Sequence, residues 1–412
     1  MPTYQRDRGY AWVVAIASLL LMAMGTGGTY VVVVALKPIA AEFGWPRSVP
    51  SSAYALAMMG MGIGGILMGK WADRRGVAPP VLLGSIAVAL GGLLGTQIDS
   101  QWALLAVNGV LLGLLGNAAL FAPLVANVTR WFDRRRGLAV AIASAGQSLG
   151  GAAWPPIHRY VIEHHGWREA YLLYGIVALV VMMPLVYLVR VRPPEDPVVR
   201  SPGPAPSAAS IRAGRALLWR PNSVQAMLCV AIVGCCIAMS MPMVHIVAYG
   251  SDLGFSPARA AELLSVLLGF AIVSRIVWGL ISDRIGGLQT LLFSSACQAL
   301  MLSMFLFADT LTALYLTAAF YGLAYGGIVP TYAVIIREHL PLDQSGWRMG
   351  LVFLFGTVGM SLGGLLGGFI YDLTGSYRDG FTIGVAFNVA NLIVVAPMVL
   401  RERWMFRTVR NA

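Results

Sequence analysis

Arg275 is the residue whose position points most directly to chemistry. It lies in the apolar run LLSVLLGFAIVSRIVWGL, with hydrophobic residues on both sides. A cation at that depth in a membrane needs a counter-charge or a water-filled cavity. A guanidinium binds a carboxylate through two parallel hydrogen bonds, so a carboxylate ligand would supply the counter-charge. The alternative is that Arg275 extends its long stem toward the membrane surface and has only a structural role.

His245 and Asp252 are the titratable residues best placed to carry a proton. They are seven residues apart in an apolar segment and its end, so they share one face of a helix. Histidine titrates near neutral pH, and no Asp or Glu falls in the middle of an apolar segment. We therefore predict a proton-coupling role for both residues and a substrate contact for His245. The alternatives are a core histidine bonded to a backbone carbonyl and an aspartate that only marks the helix end.

The elements that hold these residues are membrane-spanning helices. The chain has 412 residues, of which 58% are hydrophobic and only 11% are charged, far fewer charges than a soluble chain of this length needs. Apolar stretches of about 20 residues cross a bilayer as helices, because every backbone polar group must be bonded internally. The predicted spans are 10–36, 49–69, 79–97, 102–129, 137–158, 170–189, 222–250, 257–281, 288–308, 311–336, 346–371 and 380–400.

Lys and Arg are unevenly distributed between the predicted loops. If both termini are cytoplasmic, 22 of the 29 Lys and Arg residues lie on the cytoplasmic side, which is the orientation that membrane insertion favours. The net charge of +11 comes from these loops. We therefore expect a lipid bilayer rather than a nucleic acid as the partner. The predicted location is the cell (inner) membrane, with many spans and both termini in the cytoplasm.

The two halves of the sequence repeat each other. Residues 69–76, GKWADRRG, return at residues 279–286 as GLISDRIG. A proline followed seven residues later by an arginine also recurs, ending in Arg130 and in Arg337. Parallel repeats of this kind form two bundles related by an axis along the membrane normal, with a cavity between them.

These repeats predict an all-α membrane protein with twelve transmembrane helices in two pseudo-symmetric six-helix bundles. The N-terminal bundle is predicted over residues 1–190 and the C-terminal bundle over residues 221–412. Residues 191–220 contain RPPEDP and SPGPAPSAAS, a composition typical of a Pro-rich linker without a core. The charge asymmetry places this linker in the cytoplasm.

The doubled loop resembles the signature of the major facilitator superfamily, Gly-x-x-x-Asp-Arg-x-Gly. The resemblance implies the major facilitator fold and transport by alternating access, with loop charges that latch helix ends in one state and release them in the other. The gating candidates are Asp73, Arg74, Arg130, Asp283, Arg284 and Arg337. Exposed ion pairs are worth about 1 kcal/mol or less, so they exchange easily. The alternative is that these charges only enforce the topology.

Two further motifs are similar to the monocarboxylate transporter family. DRGYAW at residues 7–12 resembles its Asp-Gly-Gly-Trp-Gly-Trp opening, and WFDRRRGLA at residues 131–139 resembles its Tyr-Phe-x-Lys-Arg-Arg-x-Leu-Ala run. The family also places an arginine in span eight, which aligns with Arg275. Animal members carry an Asp four residues before that arginine and a Lys in span one, where this sequence has Ala271 and Tyr30. The resemblance, which extends to oxalate/formate-exchanger-like bacterial proteins, implies an organic-anion carrier.

The superfamily resemblance also implies that spans one, four, seven and ten line the cavity. The candidates for its wall are Tyr30 in span one, Asn117 and Phe121 in span four, and Tyr325 in span ten. Aromatic walls with a few polar groups suit a small organic anion. The alternative for each of these residues is ordinary helix packing.

Together these features predict a secondary active transporter of small monocarboxylates, such as lactate-like or pyruvate-like anions, coupled to protons. An oxalate/formate-type exchanger and a carrier that exports drugs or metabolites are the alternatives. A membrane enzyme or receptor is disfavoured, because the sequence contains no cluster of catalytic residues and no sizeable soluble domain. We expect no cofactor, no metal site and no nucleic-acid partner, and a protein that works as a monomer.

Overall fold

A computed structural model describes residues 8–132, 136–191, 193, 220–340 and 345–411. Nearly all of these residues are helical, and the described part of the chain contains no β-strand. In chain order the helices are α1 (Tyr10–Val34), α2 (Leu36–Phe43), α3 (Ser48–Arg75), α4 (Ala78–Gly95), α5 (Gln101–Ala106), a π-helix (Val107–Asn117), α6 (Ala118–Trp131), α7 (Arg136–His165), α8 (Trp167–Val189), α9 (Pro221–Asp252), α10 (Pro257–Ile285), α11 (Gly287–Met304), α12 (Leu311–Tyr325), α13 (Ile328–His339), α14 (Ser345–Thr374) and α15 (Tyr377–Asn411).

The helices agree with the predicted spans. Each predicted span coincides with one helix or with consecutive helices of the described chain. Ten helical segments of that chain are long and apolar enough to cross a membrane. The predicted all-α membrane fold is therefore confirmed. One span is interrupted where the sequence predicted a continuous stretch, because Gly326 and Gly327 separate α12 from α13. The break at Ala35, between α1 and α2, lies at the predicted end of span one.

The outer surface of the helices is apolar, as a bilayer requires. Large hydrophobic side chains such as Leu67, Ile276 and Leu400 are more than half exposed. In contrast, 83% of the most apolar 18-residue stretch of α9 is buried inside the protein. Exposed apolar residues in such numbers would aggregate in water, so these faces contact lipid.

Glycines allow α1 and α7 to pack with their backbones in contact. A Cβ at Gly146 would collide with the carbonyl of Leu19, and a Cβ at Gly150 would collide with that of Ala23. This is the close approach that a Gly-x-x-x-Gly spacing permits in membrane helices. It fixes the position of α1 and therefore of the candidate residue Tyr30.

The chain forms two compact units. Unit 1 comprises Met1–Glu195, Met243–Gly269 and Gly364–Gly380. Unit 2 comprises Asp196–Pro242, Phe270–Gly363 and Phe381–Ala412. The predicted bundles at residues 1–190 and 221–412 follow the sequence repeat, and their boundaries stay a prediction. The predicted linker lies outside the described residues, except for residues 191, 193 and 220.

Candidate functional site

Arg275 lies in unit 2, on α10, beside the interruption of span ten. In a continuous helix the carbonyl of Leu323 would accept a hydrogen bond from the backbone four residues later, but α12 ends at Tyr325. This carbonyl accepts hydrogen bonds from Ser274 Oγ at 2.7 Å and from Trp278 Nε1 at 2.9 Å. Ser274 and Trp278 flank Arg275 on α10, so Arg275 and the interruption of span ten lie at the same depth in the membrane.

The interruption depends on two glycines. A Cβ at Gly326 would lie 2.5 Å from the carbonyl oxygen of Ala271, and a Cβ at Gly327 would collide with the side chain of Trp278. The backbone of span ten therefore touches α10 at this point. No larger residue fits at either position without displacing α10.

Tyr325 is the candidate that the structure brings to Arg275. Its side chain is buried, and Arg275 is half-buried. Tyr325 ends α12 two residues after Leu323, whose carbonyl binds the neighbours of Arg275 on α10. Tyr321, one turn earlier, donates a hydrogen bond to the carbonyl of Ala238 at 2.9 Å. That carbonyl lacks a helical donor because Pro242 has no N–H. Tyr321 therefore has a structural role, whereas Tyr325 accompanies the arginine.

Tyr30, Asn117 and Phe121 lie in unit 1. Asn117 Nδ2 donates a hydrogen bond to Thr29 Oγ1 at 2.7 Å, which links the π-helix to α1 next to Tyr30. Tyr30 is buried, and its ring would lie 3.0 Å from a Cβ placed at Gly151 of α7. Phe121 is half-buried one turn after Asn117. The structure therefore joins Tyr30 and Asn117 through Thr29.

Three ring side chains that sequence reasoning missed surround the glycine-rich part of α1. Trp154 Nε1 donates to the carbonyl of Ala23 at 3.2 Å, and His158 Nε2 donates to the carbonyl of Gly27 at 3.0 Å. Tyr174 packs edge-on against Trp154, with ring centroids 5.1 Å apart. The two prolines that follow Trp154 could have drawn attention to this segment. A proline inside a span leaves backbone groups that neighbouring side chains must bind.

Asp252 is the centre of an ion-pair cluster in unit 1. Its carboxylate lies 2.6 Å from Lys37 Nζ and 2.5 Å from Arg47 Nη1. The Arg47 guanidinium also lies 3.8 Å from the ring centroid of Tyr371 and donates to the Tyr377 hydroxyl at 3.1 Å. Burial alone would lower the pKa of Arg47, but its hydrogen bonds to Asp252 and Tyr377 raise that pKa. Two cations therefore hold Asp252 as a carboxylate.

Asp372 extends this cluster to the start of α3. Its two carboxylate oxygens accept hydrogen bonds from the backbone N–H groups of Arg47 and Ser48, both at 2.9 Å. A carboxylate at a helix N-terminus satisfies free N–H groups and complements the helix dipole. Asp252 was a candidate from the sequence, but its pairing with Lys37 and Arg47 had no sequence signal.

His245 is fully buried in α9, two turns before Asp252. Its Nε2 lies 2.9 Å from the carbonyl oxygen of Gly364 and must donate to it. In a neutral imidazole the Nδ1 atom is then an acceptor, and this buried atom has no hydrogen-bond partner among the described residues. The ring stacks on Tyr377 at a centroid distance of 5.1 Å. Tyr377 therefore contacts both His245 and Arg47, the partner of Asp252.

The predicted gating residues lie at helix ends. Arg74, Arg130 and Arg284 are exposed near the ends of α3, α6 and α10. The side chains of Asp73, Asp283 and Arg337 lie outside what the structure describes. The latch between loops stays a prediction.

Comparison with known proteins matches the chain to one family model, described as the Major Facilitator Superfamily, over residues 14–242 and 226–404. Among curated proteins the chain is 30% identical to monocarboxylate transporter 13 of Bos taurus, over 93% of this chain and 88% of that protein. It is 27% identical to the MFS-type transporter pynF of Aspergillus niger, over 96% and 90% of the two chains.

Among solved structures, the chain resembles a bacterial homologue of the human lysosomal transporter Spinster in an inward-facing, occupied conformation. The TM-score is 0.68, and the match covers 98% of each chain at 15% sequence identity. Similarity at this level of identity concerns the fold.

Proposed function

The chain belongs to the major facilitator superfamily, and we propose that it carries small monocarboxylates across the membrane by alternating access. The observation that carries the proposal is the position of Arg275 beside the interruption of span ten, where its neighbours Ser274 and Trp278 donate hydrogen bonds to the carbonyl of Leu323. Irregular backbone at membrane depth is tolerated where it lines a cavity, and transporters use such interrupted helices to bind substrates. A cation in this setting is a binding site for an anion.

The chemistry of the two side chains favours a carboxylate. The guanidinium of Arg275 presents parallel N–H donors that match the two oxygens of a carboxylate. The hydroxyl of Tyr325 is a further hydrogen-bond donor for a carboxylate. The relative from Bos taurus is named a monocarboxylate transporter, which supports this substrate class. Tyr30, Asn117, Phe121 and His245 stay proposed substrate contacts on the evidence of the sequence.

Proton symport is the proposed mode of coupling. Protonation of Asp252 would remove the negative charge that holds Lys37 and Arg47, so proton uptake would release the cluster. His245 offers an acceptor, Nδ1, next to the same cluster. Anion exchange is the alternative, and the two cations that keep Asp252 ionised favour it.

The proposal also covers the gating residues, the location of the protein and its oligomeric state. Asp73 and Arg74, with Arg130, would latch the N-terminal loop in one state, and their counterparts in the repeat would act likewise. We place the protein in the inner membrane as a monomer with both termini in the cytoplasm.

The decisive experiment compares Arg275→Lys and Arg275→Gln with Arg259→Gln. Arg259 is an exposed arginine that pairs with Glu262, so it controls for loss of one positive charge. Binding and uptake of labelled lactate, pyruvate and oxalate are measured with purified protein and proteoliposomes. Arg275→Lys keeps the charge but loses the two parallel N–H donors of the guanidinium, so the dissociation constant for the carboxylate should rise on the order of tenfold.

Arg275→Gln should abolish carboxylate binding while the protein keeps its melting temperature within a few degrees. Wild-type uptake by Arg275→Gln would contradict a substrate role for this residue. Transport of bulky apolar cations or neutral drugs without carboxylate uptake would identify an efflux carrier instead.

Coupling is tested separately with His245→Gln and Asp252→Asn. Both should weaken accumulation driven by a pH gradient more than counterflow of substrate at equal pH. Normal accumulation by both variants would remove these residues from proton coupling and favour anion exchange.

A further inference from the structure

A chain of buried polar side chains in unit 2 ends next to the interruption of span ten. Asn388 Nδ2 of α15 donates a hydrogen bond to Gln298 Oε1 of α11 at 3.0 Å. Gln298 Nε2 lies 3.2 Å from the carbonyl oxygen of Cys235 and 3.4 Å from the hydroxyl of Tyr321. Gln298, Asn388 and Tyr321 are completely buried. The proposed function gives none of these side chains a role.

Two carbonyl groups of α9 determine the direction of these hydrogen bonds. A carbonyl only accepts, so Gln298 must donate to Cys235 through Nε2 and accept from Asn388 through Oε1. Tyr321 donates its hydroxyl proton to the carbonyl of Ala238 at 2.9 Å, and its oxygen accepts from Gln298. Each of the three side chains therefore has one orientation. A buried network whose members are satisfied in this way is rigid.

Two tyrosines attach both halves of span ten to a single turn of α9. Tyr321 lies on α12, before the interruption, and binds the carbonyl of Ala238. Tyr332 lies on α13, after the interruption, and its hydroxyl lies 3.6 Å from Cys235 Sγ. Cys235 and Ala238 are three residues apart, which is less than one helical turn. The relative position of α12 and α13 therefore depends on this turn of α9.

The last turn of α12 is held from two sides. On one side, two side chains of α10 donate to the carbonyl of Leu323. On the other side, α9 accepts from Tyr321. Tyr325 lies in the same turn, and its ring centroid is 5.4 Å from that of Tyr321. The position of the Tyr325 hydroxyl is therefore determined by α9 as well as by α10, the helix that carries Arg275.

We propose that Tyr321 and Gln298 are positioning residues for the carboxylate site, because they hold the last turn of α12 that presents the Tyr325 hydroxyl. This inference rests on the proposed function, since it concerns the same site. The strength of a hydrogen bond falls steeply with distance and angle. A small shift of this turn therefore weakens carboxylate binding without removing a group that contacts the substrate.

The test measures the dissociation constants of labelled pyruvate and lactate with the purified full-length protein in detergent. The variants are Tyr321→Phe, Gln298→Met, Tyr325→Phe and the double variant Tyr321→Phe with Tyr325→Phe. The control is Tyr171→Phe, which removes an equally buried hydroxyl that is bonded to Asn108 in unit 1. For every variant, backbone hydrogen exchange in the interrupted segment of span ten is also recorded by mass spectrometry without substrate.

Tyr325→Phe should raise the dissociation constant about tenfold, because a hydrogen bond to a charged group is lost. Tyr321→Phe and Gln298→Met should each raise it about fivefold and should speed hydrogen exchange in the interrupted segment. Tyr171→Phe should bind pyruvate and lactate like the wild type. In the double variant, Tyr321→Phe should add less than about a twofold loss to that of Tyr325→Phe, because it acts through that hydroxyl.

Wild-type affinity in both Tyr321→Phe and Gln298→Met would overturn the proposal. An added loss in the double variant as large as that in Tyr321→Phe alone would also overturn it, because Tyr321 would then act independently of Tyr325. If Tyr321→Phe does not fold, Gln298→Met, alone and combined with Tyr325→Phe, carries the same measurements.

Failure of the proposed function gives a different result. The wild type would then bind neither pyruvate nor lactate, and hydrogen exchange would decide whether Tyr321 and Gln298 hold span ten. Faster exchange in Tyr321→Phe and Gln298→Met than in Tyr171→Phe would support this role. Wild-type exchange in both variants would overturn it.

Discussion

The two copies of the repeated element differ in the residues that follow the arginine at the helix end, Arg130 in one copy and Arg337 in the other. In the N-terminal copy, Trp131 and Phe132 follow Arg130 at the end of α6 and are fully buried. Their rings pack against Tyr10 and Trp12, with centroid distances of 5.6 and 4.8 Å. Among the described residues, Arg74, Arg75, Arg130 and Arg190 line a pocket next to this copy.

In the C-terminal copy, Glu338 and His339 occupy the positions of Trp131 and Phe132. Glu338 accepts a hydrogen bond from the backbone N–H of Gly287 at 3.0 Å and so caps α11. His339 Nε2 lies 3.0 Å from Glu402 Oε1, and Nδ1 lies 3.1 Å from the carbonyl oxygen of Ile335. Both partners are acceptors, so both bonds form only when the histidine–glutamate pair holds one extra proton.

The two copies therefore use different contacts at the same place in the repeat. In the C-terminal copy, Glu338 and His339 form polar contacts with other groups of the chain. The N-terminal copy has aromatic packing at these two positions. The following variants test this contrast.

The largest effect is expected from Trp131→Glu, which puts the C-terminal residue into the N-terminal copy. A carboxyl group would enter a fully buried aromatic site. The loss of stability should exceed about 4 kcal/mol, measured by thermal unfolding in detergent. Trp131→Phe is the control and should cost far less. Equal stability of both variants would show that aromatic packing does not hold this copy together.

The next effect is expected from His339→Phe, the reciprocal change. The ring keeps its size, but Glu402 loses its hydrogen-bond partner in a buried setting. The cost should be about 1–3 kcal/mol. The double variant His339→Phe with Glu402→Leu should recover part of this loss. No loss in the single variant would mean that the pair does not stabilise the C-terminal copy.

A smaller effect is expected for the pH dependence of stability. Burial raises the pKa of Glu338, although the hydrogen bond from Gly287 lowers it in part. A raised folded-state pKa means that the folded protein holds the proton more tightly than the unfolded chain does. The contribution of Glu338 is therefore complete below its unfolded pKa of about 4.3 and is lost as the pH rises through the folded pKa.

Glu338→Gln should remove the loss of stability with rising pH, because glutamine does not titrate. The melting temperature of the variant relative to the wild type should therefore rise between about pH 4 and pH 7. Glu262→Gln, at an exposed residue on α10, is the control and should follow the wild-type profile. Parallel profiles for Glu338→Gln and the wild type would show that burial of this carboxyl does not affect stability.

The smallest effect is expected from Arg284→Gln, in the exposed arginine of the C-terminal loop. Stability should change by less than about 0.5 kcal/mol, measured by thermal unfolding in detergent. A loss of more than about 1 kcal/mol would show that this exposed arginine stabilises the C-terminal copy and would contradict the comparison.

The spans were predictable because hydropathy and length determine them. Span seven, predicted at 222–250, is Pro221–Asp252 in the structure. The interruption of span ten was not predicted, because hydropathy carries no information on which carbonyl a backbone N–H contacts. The pair Gly326 and Gly327 in the sequence was the signal for it. For the same reason the π-helix in span four had no counterpart in the prediction.

The candidate residues were predictable as types but not as partners. The rarity of charge inside apolar segments singled out Arg275, and its role as a binding residue stays a prediction. The bonds of Asp252 to Lys37 and Arg47 join positions more than 200 residues apart. Only the packing of the helices brings such residues together, so one sequence without its fold cannot pair them.

The side chain of Trp278 gives the protein an internal optical reporter. Its indole is bonded to the carbonyl of Leu323 and packed against Gly327, three residues along α10 from Arg275. Indole emission shifts in wavelength when this bond breaks or water enters. The chain contains 11 tryptophans, so the difference spectrum between the wild type and Trp278→Phe isolates this one. Rearrangement of span ten during a transport cycle can then be followed in real time by fluorescence, without an attached dye.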